Sequence, residues 1–264
     1  MYTSLDTLPD NVRSSLEVGS QKQWMAAYNK AIKTSAAGNH RRAIYEAWNA
    51  VKNNPDCRFF ACYASSSRVD RQNDSVNVDA AYEKIQKQIE RGGTIVDTHS
   101  NRVVGSFYYA EKRRTPSGYP GVYAYGVIMR GEPYFDSTWE AILKAVECPS
   151  CKDVRKGVSI GGFALDTSIN CDGSSCHRDI LDLSIHEISV CREPANPDAL
   201  ISEINLLAKS DSISKNGENM NKMNTQGDFD PRANELPEMS GDELSQEAQA
   251  KAQAMAGQEE PPAS

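Results

Sequence analysis

The 264-residue chain has no run of about 18 or more apolar residues, so a membrane-spanning helix is not expected. The opening MYTSLDTLPDNV lacks a basic region leading into an apolar core, so no secretory leader is expected either and a cytosolic setting is. Positive charge is in deficit: 29 Lys and Arg against 36 Asp and Glu leave a formal charge of −7. Most of that deficit is local. From Lys209 to the end there are eleven acidic and five basic residues and one aromatic, Phe229. The remainder is close to neutral and carries no strong basic surface, so nucleic-acid binding is not expected. Seven cysteines in a reducing compartment read as free thiols or metal ligands more than as disulfides.

Composition divides the chain in three. Residues 1–54 read as a small helical domain, with a first helix opened by Leu8-Pro9 or Asp10. Gln23–Lys33 then places Trp24, Ala27, Tyr28 and Ala31 on one face, and His40–Lys52 does the same with Ile44, Ala47, Trp48 and Val51. Two tryptophans in so short a unit suggest a bundle with its own core. Residues 57–207 read as mostly β. Strand composition marks Val103–Tyr109, Gly121–Met129, Val158–Ile169 and Ile180–Val190, and helices are predicted over Val78–Arg91 and Ser137–Val146, the second capped by Asp136 or Ser137. Residues 208–264, rich in Ser, Asn, Gln, Glu and Gly, read as a disordered acidic tail with one marginal helix at Gly241–Met255. The fold class is thus α+β: a helical domain, a β-barrel-like domain with flanking helices, and a tail.

Three residues could form a nucleophilic site. Ser159 lies among small residues in Gly157-Val158-Ser159-Ile160-Gly161-Gly162. Serine needs a base to take its proton, and His99, between a glycine-ended helix and a strand, can supply one. On the Ile180–Val190 strand, Leu181, Leu183 and Ile185 share one face, whereas Ile188 and Val190 fall on the other. The break falls at His186-Glu187. A β-bulge there would re-aim a side chain; a strand buried on both faces would show the same pattern. Adjacent strand residues point to opposite faces, so either Glu187 or His186 would orient His99. Backbone N–H groups near Gly161-Gly162, and Arg192, are candidates for oxyanion support.

Cys148-x2-Cys151 and Cys171-x4-Cys176 supply four thiols. Four thiolates at such spacings can close a structural tetrahedral zinc site that pins a helix end to a hairpin; four free thiols are the alternative.

Two resemblances add to this reading. Tyr2-Thr3-Ser4-Leu5-Asp6-Thr7-Leu8-Pro9-Asp10-Asn11-Val12-Arg13, Ala27-Tyr28-Asn29-Lys30-Ala31 and Ala47-Trp48-Asn49-Ala50-Val51-Lys52 resemble the ChaB family, small helical domains that occur fused to phage head proteins. Ser67-Arg68-Val69-Asp70-Arg71-Gln72-Asn73-Asp74, His99, Gly157–Gly162, Glu187-Ile188-Ser189-Val190 and Pro194-Ala195-Asn196-Pro197 resemble, in that order, the prohead (capsid maturation) serine proteases of tailed phages, relatives of the herpesvirus assemblins. That resemblance implies a β-barrel core, Ser159 as nucleophile, His99 as base, Glu187 as third member and His186 as its alternative. It implies no catalytic cofactor. Scaffold and major capsid proteins would be the partners, a homodimer is implied, and the site of action would be the assembling procapsid in the host cytoplasm. A non-catalytic head-assembly protein with a protease-like fold is the rival expectation.

Overall fold

The computed structural model describes residues 1–35 and 39–206; the predicted acidic tail and its Gly241–Met255 helix lie outside them. A 3-10 turn (Leu5–Thr7) leads into α1 (Asp10–Ser15), α2 (Val18–Thr34) and α3 (His40–Val51). β1 (Phe59–Ser66), β2 (Asp74–Val76), α4 (Val78–Glu90), β3 (Thr94–Asp97), β4 (Val103–Arg114) and β5 (Pro120–Ile128) follow, then α5 (Pro133–Glu147), β6 (Gly157–Asp172), β7 (Ser175–Cys191) and β8 (Ile201–Ile204). α5 begins four residues before the sequence reading put it: Pro133 sits in its first turn, where a missing N–H costs nothing, and Glu132 is the cap residue.

The eight strands form one mixed sheet in the order β2-β7-β3-β4-β5-β1-β8, with β6 paired to β7. β7 runs parallel to β2 and β3; the other pairs are antiparallel. A bridge between Gly157 and Leu200 joins the base of β6 to the segment entering β8, which closes the circuit into a barrel.

Period-two alternation on β1 and β5 feeds two cores. Phe60, Cys62 and Ala64 with Val122, Ala124 and Ile128 face inward, where Ile85 of α4 and Trp139 of α5 join them. Phe59, Ala61 and Tyr63 with Tyr123, Tyr125 and Val127 face outward. That outer face is where the N-terminal helices lie. Trp48 stacks on Tyr108 at 5.0 Å and meets Trp24 edge-on at 6.1 Å. The helical segment therefore does not close a core of its own, as its two tryptophans suggested. Both indoles share one cluster with the aromatic outer face of the sheet, which supplies a wall of that core. Among the described residues no helix is long and apolar enough to cross a membrane.

Candidate active site

β6 is paired along its length to β7, but its other edge is held only at the base. There Val158 N–H donates to Ala199 O at 2.9 Å and Ile201 N–H to Lys156 O at 2.9 Å. From Ser159 onward, among the described residues, no strand covers that edge. A cleft of about 360 Å³ opens there, bounded by β6, β1, the Asp70–Asp74 segment and His99. Ser159 is thus the first residue past the point where the barrel parts. The spacing Gly157-x-Ser159-x-Gly161 matches the nucleophile elbow of α/β-hydrolases, but that elbow needs a strand–turn–helix corner. Here all five residues run inside a strand.

His99 follows β3, whose last residues pair in parallel with β7. Its Nδ1 lies 2.6 Å from Glu187 Oε1, across 88 positions of sequence. Facing a carboxylate, Nδ1 carries the proton and donates, which leaves Nε2 as the basic nitrogen. Thr98 and His99 both adopt left-handed backbone, with φ of 48° and 55°. For non-glycine residues, and a β-branched threonine above all, such geometry costs on the order of 1–3 kcal/mol each. Ser159 is nearly buried and, among the described residues, makes no hydrogen bond to His99; contacts of this kind commonly tighten only when substrate is seated.

The break in alternation on β7 is a bulge. Gly161 pairs with Glu187 and Gly162 with Ile185, which leaves His186 as the extra residue. His186 is exposed, its ring edge-on to Phe163 at 4.8 Å, while Glu187 turns to His99. Of the two candidates for third member, the geometry brings only Glu187 to the imidazole.

The glycines serve that arrangement. A Cβ on Gly161 would lie 2.7 Å from Glu187 Cγ and 2.9 Å from its Oε1, and one on Gly162 only 1.9 Å from Ser184 O. The space read from sequence as room for an oxyanion is occupied on this side by β7. Gly161→Ala is expected to keep the fold, because a flexible side chain is what must give way. It should push Glu187 off His99 and slow any Ser159 chemistry on the order of 10²-fold, as about 1 Å of misplacement can. Reaction rate and melting temperature measured side by side check this. Arg192 is not brought to the cleft: it is exposed and 4.0 Å from Glu193.

Sequence reasoning missed several groups at the site. Arg178 lines the cleft and grips the buried Asp74 carboxylate with two bonds, Nε–Oδ1 at 2.8 Å and Nη2–Oδ2 at 2.6 Å. The first and last protease-like motifs also meet. Arg71 donates to the carbonyls of Pro194 and Ala195, and Asn196 exchanges hydrogen bonds with Ser66. Burial alone would raise the Asp198 carboxyl, yet hydrogen bonds from Arg68, Ser117, Ser66 and Thr115 hold it below the usual range. Of these residues, Asp74, Arg178, Ala195 and Asn196 line the cleft wall. Arg71, Asp74, Ala195 and Asn196 lie in the two motifs, which do not say that they touch, and no motif covered Arg178 or Asp198. Cys191, beside this wall, is no rival nucleophile, because burial pushes its thiol up to about 11.

The four cysteines are not gathered into one tetrahedral set. Cys148 pairs with Cys151 after α5, and Cys171 with Cys176 at the hairpin tip, as two disulfides. Cys171 and Cys176 are direct partners in the β6–β7 register with Cα atoms 4.0 Å apart, which brings their sulfurs together across the hairpin. Among the described residues no group of three or more His, Cys, Asp or Glu is placed to hold a metal. Thiol titration of the unfolded, unreduced chain should find three free thiols, Cys57, Cys62 and Cys191. Seven thiols together with bound zinc would instead assign Cys148, Cys151, Cys171 and Cys176 to a metal site.

Fold and site together define an α+β protein: N-terminal helices laid on a large mixed sheet whose opening is lined by a serine and by a histidine that is paired with a glutamate. Residues 8–54 match the ChaB family model, so the helices α1–α3 are a ChaB-type domain. No curated protein and no solved structure matches the chain.

Proposed function

We propose that this chain is a serine endopeptidase that cuts scaffold and capsid-protein segments, and itself, during maturation of a phage procapsid in the host cytoplasm. The observation that carries the reading is the 2.6 Å pair of His99 and Glu187 on the rim of the cleft that Ser159 lines. In the reaction, His99 Nε2 takes the Ser159 hydroxyl proton as Oγ attacks the scissile carbonyl. The imidazolium, stabilised by Glu187, then returns that proton to the leaving amine, and water releases the acyl group by the same cycle. Three further features agree with the assignment: the order of the protease-like motifs, the barrel, and a ChaB-type domain of the kind found fused to head proteins. Catalysis needs no metal in this scheme, and a homodimer is the expected assembly.

Intact-mass spectrometry after incubation with the capsid and scaffold proteins tests it. Defined fragments that form with the wild type and not with Ser159→Ala are expected. If neither chain or both produce them, the peptidase reading fails. One observation favours a second reading, a non-catalytic head-assembly protein. The far half of the β6–β7 hairpin exposes Phe163, Leu165 and Ile169 at 68%, 60% and 70%, the kind of surface that binds other proteins. That reading takes over if capsid or scaffold protein binds and nothing is cut.

A further inference from the structure

The left-handed turn at Thr98-His99 contains no glycine, so contacts from elsewhere must impose its shape. Thr98 N–H donates to Val190 O at 2.9 Å, and Ser100 N–H to Asp97 O at 2.9 Å. His99 N–H donates to Ser189 Oγ at 3.2 Å. Ser189 is fully buried and stands directly opposite Ser159 in the β6–β7 register, between the two halves of the site. The turn's first residue, Asp97, is held in a fork by Arg155, with Nε–Oδ1 at 2.6 Å and Nη2–Oδ2 at 3.2 Å. Both side chains are mostly buried, at 19% and 23% exposure. Arg155 is itself fixed: its N–H donates to Ala141 O of α5 at 3.0 Å, and its neighbour Val154 is completely buried.

Arg155 lies four residues before Ser159 on the lead into β6, and Asp97 lies two residues before His99 at the end of β3. One ion pair therefore ties the strand that carries the serine to the turn that carries the histidine. An exposed single-point pair would do little. A planar fork on a carboxylate with little access to water fixes orientation as well as distance, which lysine cannot reproduce.

We infer that Arg155 acting through Asp97, together with Ser189, orients His99 toward Glu187, making these three the positioning residues of the site. The inference deepens the proposed peptidase reading and rests on it for the link to catalysis.

Two readouts on the full chain test it: the rate at which a diphenyl phosphonate labels Ser159, and the imidazole ¹H–¹⁵N spectrum of His99, assigned with His99→Ala. The wild type should show the Nδ1-protonated tautomer. Arg155→Ala and Asp97→Asn should mix the tautomers and slow labelling by about 10- to 100-fold while still melting cooperatively. Arg155→Lys should recover part of the rate. A role confined to stability would lower the melting temperature and leave rate and tautomer as in the wild type; that result, or a wild type without Nδ1 preference, overturns the inference. If Arg155→Ala does not fold, Asp97→Asn and Ser189→Ala decide by the same two readouts. If the phosphonate labels no form of the chain, the peptidase reading fails and the His99 spectra still decide: altered tautomers in the variants uphold the positioning role, and unaltered ones overturn it.

Discussion

Ser159→Ala is expected to abolish phosphonate labelling and to lower peptide-bond cleavage by on the order of 10⁴-fold or more, with no loss of fold. The size follows from the chemistry. Without Oγ there is no acyl-enzyme, and what survives is binding of the substrate near a general base. The fold should be indifferent, because Ser159 is a strand residue whose backbone pairing with Ser189 does not involve its hydroxyl. His99→Ala should cost a similar factor, and the double variant hardly more than either single one, since the two act as a unit. Glu187→Gln should cost about 10⁴-fold by leaving the imidazole in the wrong tautomer. Turnover of a capsid-protein peptide by each variant, with circular dichroism alongside, checks the set. Equal turnover by wild type and Ser159→Ala would move the chemistry elsewhere or remove it altogether.

The second large effect concerns stability. Trp48→Ala should destabilise the whole described body by about 3–5 kcal/mol, a large part of a typical domain's 5–15 kcal/mol. The indole is 1% exposed, stacks on Tyr108 of β4 and touches Trp24 of α2, so its loss opens a cavity between helices and sheet. Unfolding should remain a single transition, because the helices and the outer face of the sheet share one core. For the same reason a chain lacking residues 1–54 should be insoluble or loosely packed: it would expose Phe59, Tyr63, Tyr108, Tyr123 and Tyr125 together. Calorimetry of Trp48→Ala and gel filtration of the truncated chain are the measurements. A truncated chain that stays monomeric and melts like the full one would show that the ChaB-type domain is merely tethered.

The helices were legible wherever apolar residues recur at helical spacing, and α3 and α4 fall within a residue of where that spacing put them. β1 was not marked as a strand, although Phe59–Ser66 is buried throughout. Its run FFACYASS shows no polar–apolar alternation, because both of its faces are covered, one by the barrel interior and one by the helices. β2, β3 and β8 were missed for a different reason. They are three or four residues long and exist only through their partners.

At the site, the sequence by itself determined which residue types were on offer and where the strand pattern failed. The fault at His186-Glu187 is the bulge, and it was readable because one extra residue reverses the facing of every residue beyond it. Only the tertiary structure decided between the two side chains at that fault, since the choice depends on which of them meets a histidine 88 positions away. It also placed the four cysteines in two separate local pairs, closed Arg155 on Asp97 across 58 positions, and parted the barrel at Ser159. Periodicity and composition are local properties that a chain carries into any fold. Contacts between distant residues are not, because they exist only once the sheet has closed.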